Sequence, residues 1–426
     1  MRTAEPRESP ELPRLLAGQC ALGLDIGTTT LEAVLVDAGG EELARTGLIN
    51  PQRVLGADVV SRLEAAMNGQ GQRLRALLSD GLTALMRNVL EMGGREPDSV
   101  ACVAAAGNSA MTLLATGADP RSLALPPHRP SHKAGFWLES AALGLPLTAP
   151  LYLFPLVGGY VGGDLVALLY ALEESPEPAL VIDLGTNAEV ALLLPDRLLA
   201  TSAAAGPAFE GEGIGCGMRA QEGAVTGAFW EGDRLRLRVL GNVAPLGLCG
   251  GGLLGVVAAA LEGGLLDCEG VIQPPEALLD NRARYSVERD DRRALLLYRD
   301  ASRELLLTQD DVRAFQTAKG AVRAAAECLL AEAECVFSDL RQVLVSGAFG
   351  AALEPDALKE VAMLPGEVLD KLVFLPHGVL RGLCRFLRNP LRAAREVQEL
   401  SERALWRPLS GRPEFSRRFL AALDFS

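Results

Sequence analysis

Short apolar runs separated by turn residues make up the first fifty positions after a polar start. From Ala21, an apolar strand ends at a Gly-Thr turn, and further strands are predicted over 31–37 and 41–46. Apolar residues at helical spacing follow over 58–92. Residues 99–117 then predict a buried strand, a Gly-Asn turn and a helix. This alternation is typical of an α/β protein.

The strand–turn–strand pattern occurs a second time along the chain. An apolar strand that begins at Ala179 ends in Asp-Leu-Gly-Thr and leads into another apolar strand. Asp183 therefore repeats the position of Asp25, 158 residues later. Self-similarity of this kind predicts two related lobes in one chain.

The second half continues with helices and short strands. Residues 280–299 are strongly charged and predict a solvated surface excursion. Thr308 opens a Thr-x-x-Asp capping box, so a long helix is predicted from there to Glu334. A buried strand and a helix start follow over 342–353. We expect a flexible tail over 1–19, lobe I over 20–178, lobe II over 179–364, and a C-terminal segment, 365–426, that packs back on the lobes.

Net charge restricts the partners that this chain can bind. Lys and Arg together number 41 and Asp and Glu 54, giving a formal net charge of −13. Nucleic acids and anionic membranes attract concentrated positive charge, so neither is an expected partner. Prolines and glycines also interrupt the two longest uncharged stretches, which argues against membrane-spanning helices. The first residues carry charges of both signs and lack the apolar core of a signal peptide, so we expect a cytoplasmic protein.

Cysteine and histidine predict no metal cluster. The eight cysteines are scattered without a Cys-x-x-Cys pair, so no iron–sulfur cluster or zinc site is expected. Cys216 and Cys249 lie in glycine-rich segments where a redox role is conceivable. We interpret them as small buried thiols because neither has a second ligand nearby in the sequence.

The repeated Asp-x-Gly-Thr turn is suited to phosphate chemistry. A glycine lets the backbone approach a phosphate closely, and the following N–H groups and Thr hydroxyls are donors to its oxygens. An Asp at the strand end can bind hydrated Mg²⁺, which keeps several waters and takes one or two carboxylates. Two such hairpins, followed by a glycine-containing strand-to-helix turn, predict that both lobes hold one nucleotide.

Four segments resemble the superfamily of acetate and sugar kinases, heat-shock chaperones and actin, known as ASKHA. LDIGTTT (24–30) resembles its phosphate-1 motif, GGDLVALLYAL (162–172) its first connecting helix, VIDLGTNAEV (181–190) its phosphate-2 motif and VLVSGAFGAAL (343–353) its adenosine motif. The resemblance implies an actin-like, ribonuclease H-like α/β fold with duplicated hairpin lobes around a nucleotide cleft. ATP and Mg²⁺ are the implied cofactors.

The same resemblance implies roles for individual residues. Asp25 and Asp183 would hold Mg²⁺, and these two with Asp164 would form the catalytic set. The phosphates would contact Gly27, Thr28, Thr29, Gly185, Thr186 and Asn187, and the adenosine would contact Gly347, Gly350 and Lys319. Two roles have alternatives: Asp164 could orient water or serve as a helix N-cap, and Lys319 could contact the nucleotide or be a solvated helix residue.

Longer segments resemble the ATP-dependent reductive activators of corrinoid proteins. They include TSAAAGPAFEGEGIGCGMRAQEGAV (201–225), TQDDVRAFQTAKGAVRA (308–324) and PEFSRRFLAALDF (413–425). The resemblance implies a homodimer that couples ATP to reduction of Co(II) to Co(I) in a corrinoid partner. Because this chain has no cluster-binding cysteines, a separate ferredoxin-like electron donor is expected.

Details of this closer resemblance leave alternatives. Ser202 and Glu210 could face the corrinoid partner or belong to a structural turn. His377 and Arg381 stand where the related proteins have small residues, which affects the expected purine pocket. A small-molecule kinase of the same fold, acting on a sugar or carboxylic acid, and a nucleotide-binding scaffold without catalysis both stay open.

Overall fold

The computed structural model describes residues 6, 7, 10, 16, 18–172, 175–347 and 353–426. Its strands are β1 Cys20–Ile26, β2 Thr30–Asp37, β3 Glu42–Ile49, β4 Val100–Gly107, β5 Phe136–Glu139, β6 Pro150–Leu153, β7 Ala179–Leu184, β8 Asn187–Leu193, β9 Leu198–Ala204, β10 Ala224–Glu231, β11 Arg234–Val239, β12 Gly247–Leu248, β13 Ser286–Arg289, β14 Arg292–Arg299, β15 Glu304–Thr308, β16 Gln342–Gly347, β17 Leu372–Pro376 and β18 Ala404–Trp406.

Helices alternate with these strands through most of the chain. They are α1 Val59–Ala65, α2 Gly71–Met92, α3 Ser109–Thr116, α4 Arg121–Ala124, α5 Gly163–Ala171, α6 Gly250–Glu262, α7 Gln309–Glu332, α8 Pro355–Glu360, α9 Gly378–Arg388, α10 Pro390–Arg403 and α11 Pro413–Ala421. The α/β class expected from the sequence is confirmed.

Two compact units divide the chain, and both are discontinuous in sequence. Unit 1 comprises the described parts of 1–175 with 196–201 and 377–408, and unit 2 comprises 176–195, 202–376 and 409–426. The sequence-based division at 178/179 and 364/365 is continuous instead. A sequence pattern divides a chain into consecutive segments. In the structure, residues 377–408 follow a long segment of unit 2 but pack with unit 1.

Unit 1 is built on a six-stranded sheet in the order β3-β2-β1-β4-β6-β5. β1 is parallel to β4 and antiparallel to β2, so the first hairpin (residues 20–37) lies in the middle of the sheet. Alternate residues such as Leu22 and Leu24 are buried in a core with Leu78 and Leu82 of α2. On β1, a Cβ at Gly23 would lie 3.0 Å from the Leu383 Cβ of α9, so α9 packs closely against this strand.

Unit 2 repeats the central part of this arrangement. β7 and β8 form the second hairpin (residues 179–193), and β7 is also parallel to β16, which is parallel to β17. Further strands form two three-stranded sheets, β11-β10-β12 and β13-β14-β15. In both units, therefore, a strand whose next-to-last residue is Asp lies between its hairpin partner and a parallel strand.

Most predicted elements are present, and the structure refines two of them. Most of the tail expected over 1–19 and the helix start expected at 348–352 lie outside the described residues. The helix predicted over 58–92 is interrupted, because Asn68 and Gly69 have non-helical dihedral angles and Gly69 has a φ of +87°. The charged stretch 280–299, predicted as a solvated surface excursion, is ordered as β13 and β14, which pair antiparallel. Its charged residues lie on a small sheet whose other positions, such as Leu295, are buried. Within the described residues, the helices are all too short or too polar to cross a bilayer.

Candidate functional site

The turn of the first hairpin requires glycine. A Cβ placed on Gly27 would lie 2.3 Å from the backbone oxygen of Thr30, so a side chain at this position would force the turn open. Asp25 is the register partner of Glu32 across the hairpin, which places both residues on one face of the sheet. The first hairpin therefore combines a tight backbone turn with two carboxylates.

Asn50 holds this turn from outside the hairpin. Its side-chain Nδ2 donates to the backbone oxygen of Gly27 at 2.9 Å, and its backbone N–H donates to that of Thr29 at 2.8 Å. Asn50 itself is completely buried. These two bonds fix the backbone of the turn at Gly27 and Thr29.

Asn108 contacts the threonine of the first hairpin. Its Nδ2 donates to Thr28 Oγ1 at 2.9 Å, while its Oδ1 accepts the N–H of Met111 at 2.9 Å and so caps α3. Because Asn108 is the donor, the Thr28 hydroxyl can give its own hydrogen to a further acceptor.

The start of α5 lies directly beside Asn108. A Cβ on Gly162 would come within 2.3 Å of the Gly107 oxygen and 2.4 Å of the Asn108 Cα. Gly162 is the N-cap of α5, and Asp164 lies in its first turn, with Oδ1 accepting the N–H of Leu165 at 2.7 Å. The interpretation of Asp164 as the N-cap is thus wrong by two positions. The close packing at Gly162 puts the helix that carries Asp164 next to the residue that holds Thr28.

His377 lies beside the first hairpin, in unit 1. It adopts a left-handed backbone conformation with φ +54°, and its Nδ1 lies 3.4 Å from Glu32 Oε2. Arg381 lies one turn further along α9, with its N–H bonded to the His377 oxygen. His377 therefore contacts the carboxylate that faces Asp25 across the hairpin.

The second hairpin repeats the pair of carboxylates. Asp183 on β7 is the register partner of Glu189 on β8. Glu189 is buried and its Oε1 accepts the hydroxyl of Ser202 at 3.1 Å. Ser202, which the sequence proposes as a partner-facing residue, thus bonds within unit 2.

Thr186 of the second hairpin is held by a carboxylate. Glu210 Oε1 accepts both the Thr186 N–H at 2.6 Å and the Thr186 hydroxyl at 2.7 Å, and Gly206 N–H donates to the Thr186 oxygen at 2.9 Å. Burial raises the pKa of Glu210, and the two bonds from Thr186 counter this in part. Glu210 was proposed to face a corrinoid partner, and its contact with the phosphate-2 turn was not foreseen.

Two buried polar atoms near this turn have no hydrogen-bond partner among the described residues. They are Nδ2 of Asn187, at the start of β8, and Oγ of Ser346, which pairs in register with Asp183 across β7 and β16. A buried donor without a partner is costly, so a missing acceptor is indicated beside Asn187. A phosphate oxygen is a group that would supply such an acceptor, in keeping with the role expected for Asn187.

The residues proposed for adenosine have different surroundings. Gly347 ends β16 with a φ of +135°, which an L side chain rarely adopts, and Gly350 lies outside the described residues. Lys319 is completely buried. Its ammonium donates to the Asp424 oxygen and lies 4.8 Å from the ring centre of Phe425. Burial lowers the pKa of Lys319 to about 8. Lys319 thus anchors the C-terminal residues of unit 2 and is not a solvated helix residue.

The described residues contain no group of three or more His, Cys, Asp or Glu side chains placed to bind a metal ion. A hydrated Mg²⁺ takes only one or two carboxylates from a protein, so the roles expected for Asp25 and Asp183 stay predictions. Burial raises the pKa of Cys216 to about 12 and also raises that of Cys249. The interpretation as small buried thiols is confirmed for Cys249, whereas Cys216 is only half-buried.

Several site residues were absent from the sequence analysis: Asn50, Asn108, Glu32 and Glu189. A signal for the last two was present, because each hairpin has a Glu six or seven residues after its Asp. Asn50 and Asn108 carry no comparable local signal. Asn108 follows a glycine at a predicted turn, which indicates a helix cap and not a contact with Thr28.

Comparisons with known proteins match most of the chain. The family model for the C-terminal domain of RACo, the ASKHA domain, matches residues 177–426, and the model for the RACo middle region matches residues 20–174. The structure is also similar to that of a reductive activator for corrinoid, iron-sulfur protein, with a TM-score of 0.88 and 28% identity over 96% of this chain and 67% of that one.

Two relatives extend this similarity. The corrinoid activation enzyme RamQ of Eubacterium limosum is 30% identical over 356 residues, which are 81% of this chain and 60% of that protein. The [Co(II) methylated amine-specific corrinoid protein] reductase of Methanosarcina barkeri is 30% identical over 236 residues, covering 50% of this chain and 40% of the reductase. The matches thus span 60% and 40% of the lengths of these relatives.

Proposed function

Because the chain belongs to the RACo family and carries its ASKHA domain, we propose that it is an ATPase that drives the reduction of Co(II) to Co(I) in a corrinoid protein. One electron is added to the cobalt, and ATP binding or hydrolysis makes this uphill step possible. The observation that carries the proposal is the similarity to a corrinoid activation enzyme over 81% of the chain.

In this proposal, the two hairpins bind the phosphates of ATP. Thr28 and Thr29 of the first hairpin and Thr186 and Asn187 of the second supply the donors. The partnerless Nδ2 of Asn187 and the donor arrangement at Thr28 support this assignment. Gly347 would lie against the adenosine, where a missing side chain permits close approach.

Asp25 and Asp183 are proposed to bind hydrated Mg²⁺, which would neutralise charge on the transferred phosphoryl group. Asp164 would orient the attacking water. Its place in the first turn of α5, beside the Gly107–Asn108 turn, supports a position near the first hairpin's phosphate donors. Catalysis would then rest on positioning and charge stabilisation, as in other phosphoryl-transfer proteins.

The experiment that tests the proposal measures ATP turnover by the purified protein with a corrinoid protein and a low-potential reductant. We expect the protein to turn over ATP in this mixture. The corrinoid should change from its Co(II) to its Co(I) absorption spectrum only when ATP is present. Omitting the corrinoid protein, the reductant or Mg²⁺ in turn supplies the controls. A protein that never binds ATP would contradict the proposal.

The same assay separates the other functions that the sequence leaves open. Turnover stimulated by a sugar or carboxylic acid, and not by the corrinoid protein, would indicate a small-molecule kinase. ATP binding without turnover would indicate a scaffold.

A separate ferredoxin-like protein is the proposed electron donor, and adding one in place of the chemical reductant tests it. The proposed homodimer is tested by light scattering coupled to size-exclusion chromatography.

A further inference from the structure

Glu210 occupies donors that a phosphate would need. The N–H and hydroxyl of Thr186 each have one hydrogen, and both point to the same oxygen, Glu210 Oε1, at 2.6 and 2.7 Å. An N–H and a hydroxyl that converge on one anionic oxygen form the arrangement expected for a bound phosphate oxygen. The carboxylate therefore takes the place of the ligand at this turn.

The backbone that carries Glu210 is firmly packed. Glu210 ends a short 3₁₀ turn, Pro207–Glu210, in which Phe209 is buried against the ring of Phe315 at 6.0 Å between ring centres. A Cβ on Gly250 would lie only 1.8 Å from the Phe209 oxygen, so α6 begins in direct contact with this turn. Because the backbone is fixed on two sides, rotation of the Glu210 side chain is the simplest way to vacate Thr186.

Charge makes this contact different from an ordinary turn bond. Burial disfavours the ionised carboxyl and raises the pKa of Glu210; nearby Glu212 acts in the same direction and Arg219 in the opposite one. An ionised Glu210 would also repel a phosphate brought close to Thr186. The repulsion opposes the simultaneous presence of an ionised Glu210 and a phosphate at this turn.

We propose that Glu210 competes with the nucleotide's phosphates for Thr186 and must leave the turn before ATP binds there. This inference rests on the proposed function, since it takes ATP as the ligand. Glu210 would thereby set the affinity for phosphate-bearing nucleotides without contributing to recognition of adenosine.

The test compares binding of Mg-ATP and of adenosine to the intact wild-type chain and to three variants by isothermal titration calorimetry. In Glu210→Ala the competitor is absent, and we expect the Kd for ATP to fall roughly tenfold or more, since one charge-assisted bond is worth about that much. In Glu210→Gln the amide oxygen can still accept from Thr186 but carries no charge, so an intermediate gain is expected. Glu212→Gln is the matched control, because it also removes one negative charge near the turn. It should change the ATP affinity less than twofold, since a charge screened by solvent has a small effect.

Adenosine identifies the cause of any change. Its affinity should be the same in the wild type and in every variant, because it carries no phosphate. An equal gain for ATP and adenosine, or an ATP affinity that is unchanged or weaker in both Glu210 variants, would overturn the inference. If Glu210→Ala does not fold, as judged by circular dichroism, the result for Glu210→Gln decides.

The outcomes distinguish this inference from the proposed function. Equal ATP binding by all four proteins refutes competition by Glu210 and leaves the ATPase proposal standing. Failure of all four to bind ATP refutes both.

Discussion

The two Asp-x-Gly-Thr hairpins share their local structure and differ in what holds the threonine. In both, the Asp lies on a strand between a hairpin partner and a parallel strand, and a Glu faces it across the hairpin. Thr28 of the first hairpin accepts a bond from the neutral amide of Asn108, whereas Thr186 of the second donates to the carboxylate of Glu210. A shared motif thus presents an available donor in one half and an occupied donor in the other.

If the hairpins bind phosphate as proposed, the backbone motif alone does not define the site. The backbone turn supplies donors, but the residue that contacts those donors decides whether an anion can reach them. Asn108 leaves the hydroxyl hydrogen of Thr28 for a ligand, while Glu210 uses that of Thr186. If both hairpins bind phosphate as proposed, the second differs from the first in that Glu210 has to move before an anion reaches Thr186.

The largest effect on ATP turnover is expected from the Asp of each Asp-x-Gly-Thr hairpin. Asp183→Asn and Asp25→Asn should each reduce ATP turnover roughly a hundredfold or more, because the Mg²⁺ that we propose they hold would supply several kcal/mol of charge stabilisation. Steady-state ATPase assays over a range of Mg²⁺ concentrations measure this, with circular dichroism to check folding. Wild-type turnover in the Asp183 variant would mean that the second hairpin is not a phosphate-2 motif.

The glycines of the two turns should differ in their tolerance of a side chain. Gly27→Ala forces a Cβ to within 2.3 Å of a backbone oxygen, so we expect a loss of about 1–3 kcal/mol in the free energy of unfolding. At Gly185 the nearest atoms are the Asn187 oxygen at 3.3 Å and Glu210 Oε1 at 3.5 Å, and Ala there should cost less than about 1 kcal/mol. Urea unfolding of both variants checks this order. A greater loss in Gly185→Ala would show that the second turn is the tighter one.

Asn108→Asp would give the first hairpin the electrostatic character of the second. The new carboxylate still caps α3, so the stability should change by less than about 1 kcal/mol. It now faces Thr28 as an acceptor and a negative charge, and the Kd for ATP should rise roughly tenfold. Asn108→Ser, which keeps a capping oxygen without the charge, is the matched control. Equal ATP affinities for the Asp and Ser variants would show that charge at Thr28 is unimportant.

The smallest effect is a difference in pH dependence. Burial raises the pKa of Glu210 in the folded chain, so the folded state binds this proton more tightly than the unfolded state. The free energy of unfolding of the wild type, relative to Glu210→Gln, should therefore fall as the pH rises through the raised pKa. Asn108→Ser should show no such trend relative to the wild type, because Asn108 does not titrate. Urea unfolding between about pH 4 and pH 8 measures both differences; a flat Glu210 profile would indicate an unshifted carboxyl.

Local pattern was sufficient to predict the elements that surround the site. Both hairpins, the strand before Asn108 and the capping box at Thr308 and Asp311 were predicted from their own residues, and the structure confirms them. Each depends on side-chain alternation, on a glycine where no Cβ fits, or on a cap three residues from its partner. These constraints act over a few positions and leave a pattern that can be recognised in a single chain.

What holds the two turns was decided by tertiary structure. Asn50 and Gly27 are 23 residues apart, Asn108 and Thr28 are 80 apart, and Glu210 and Thr186 are 24 apart. Lys319 likewise contacts Asp424, 105 residues away, which a helical pattern around Lys319 could not indicate. Hydrogen bonds of this kind form only after separate segments have packed, and a polar residue in a turn has the same local pattern whether or not it reaches a partner. Residue spacing therefore predicted the two Asp-x-Gly-Thr hairpins, whereas packing determined that the threonine of one contacts an amide and that of the other a carboxylate.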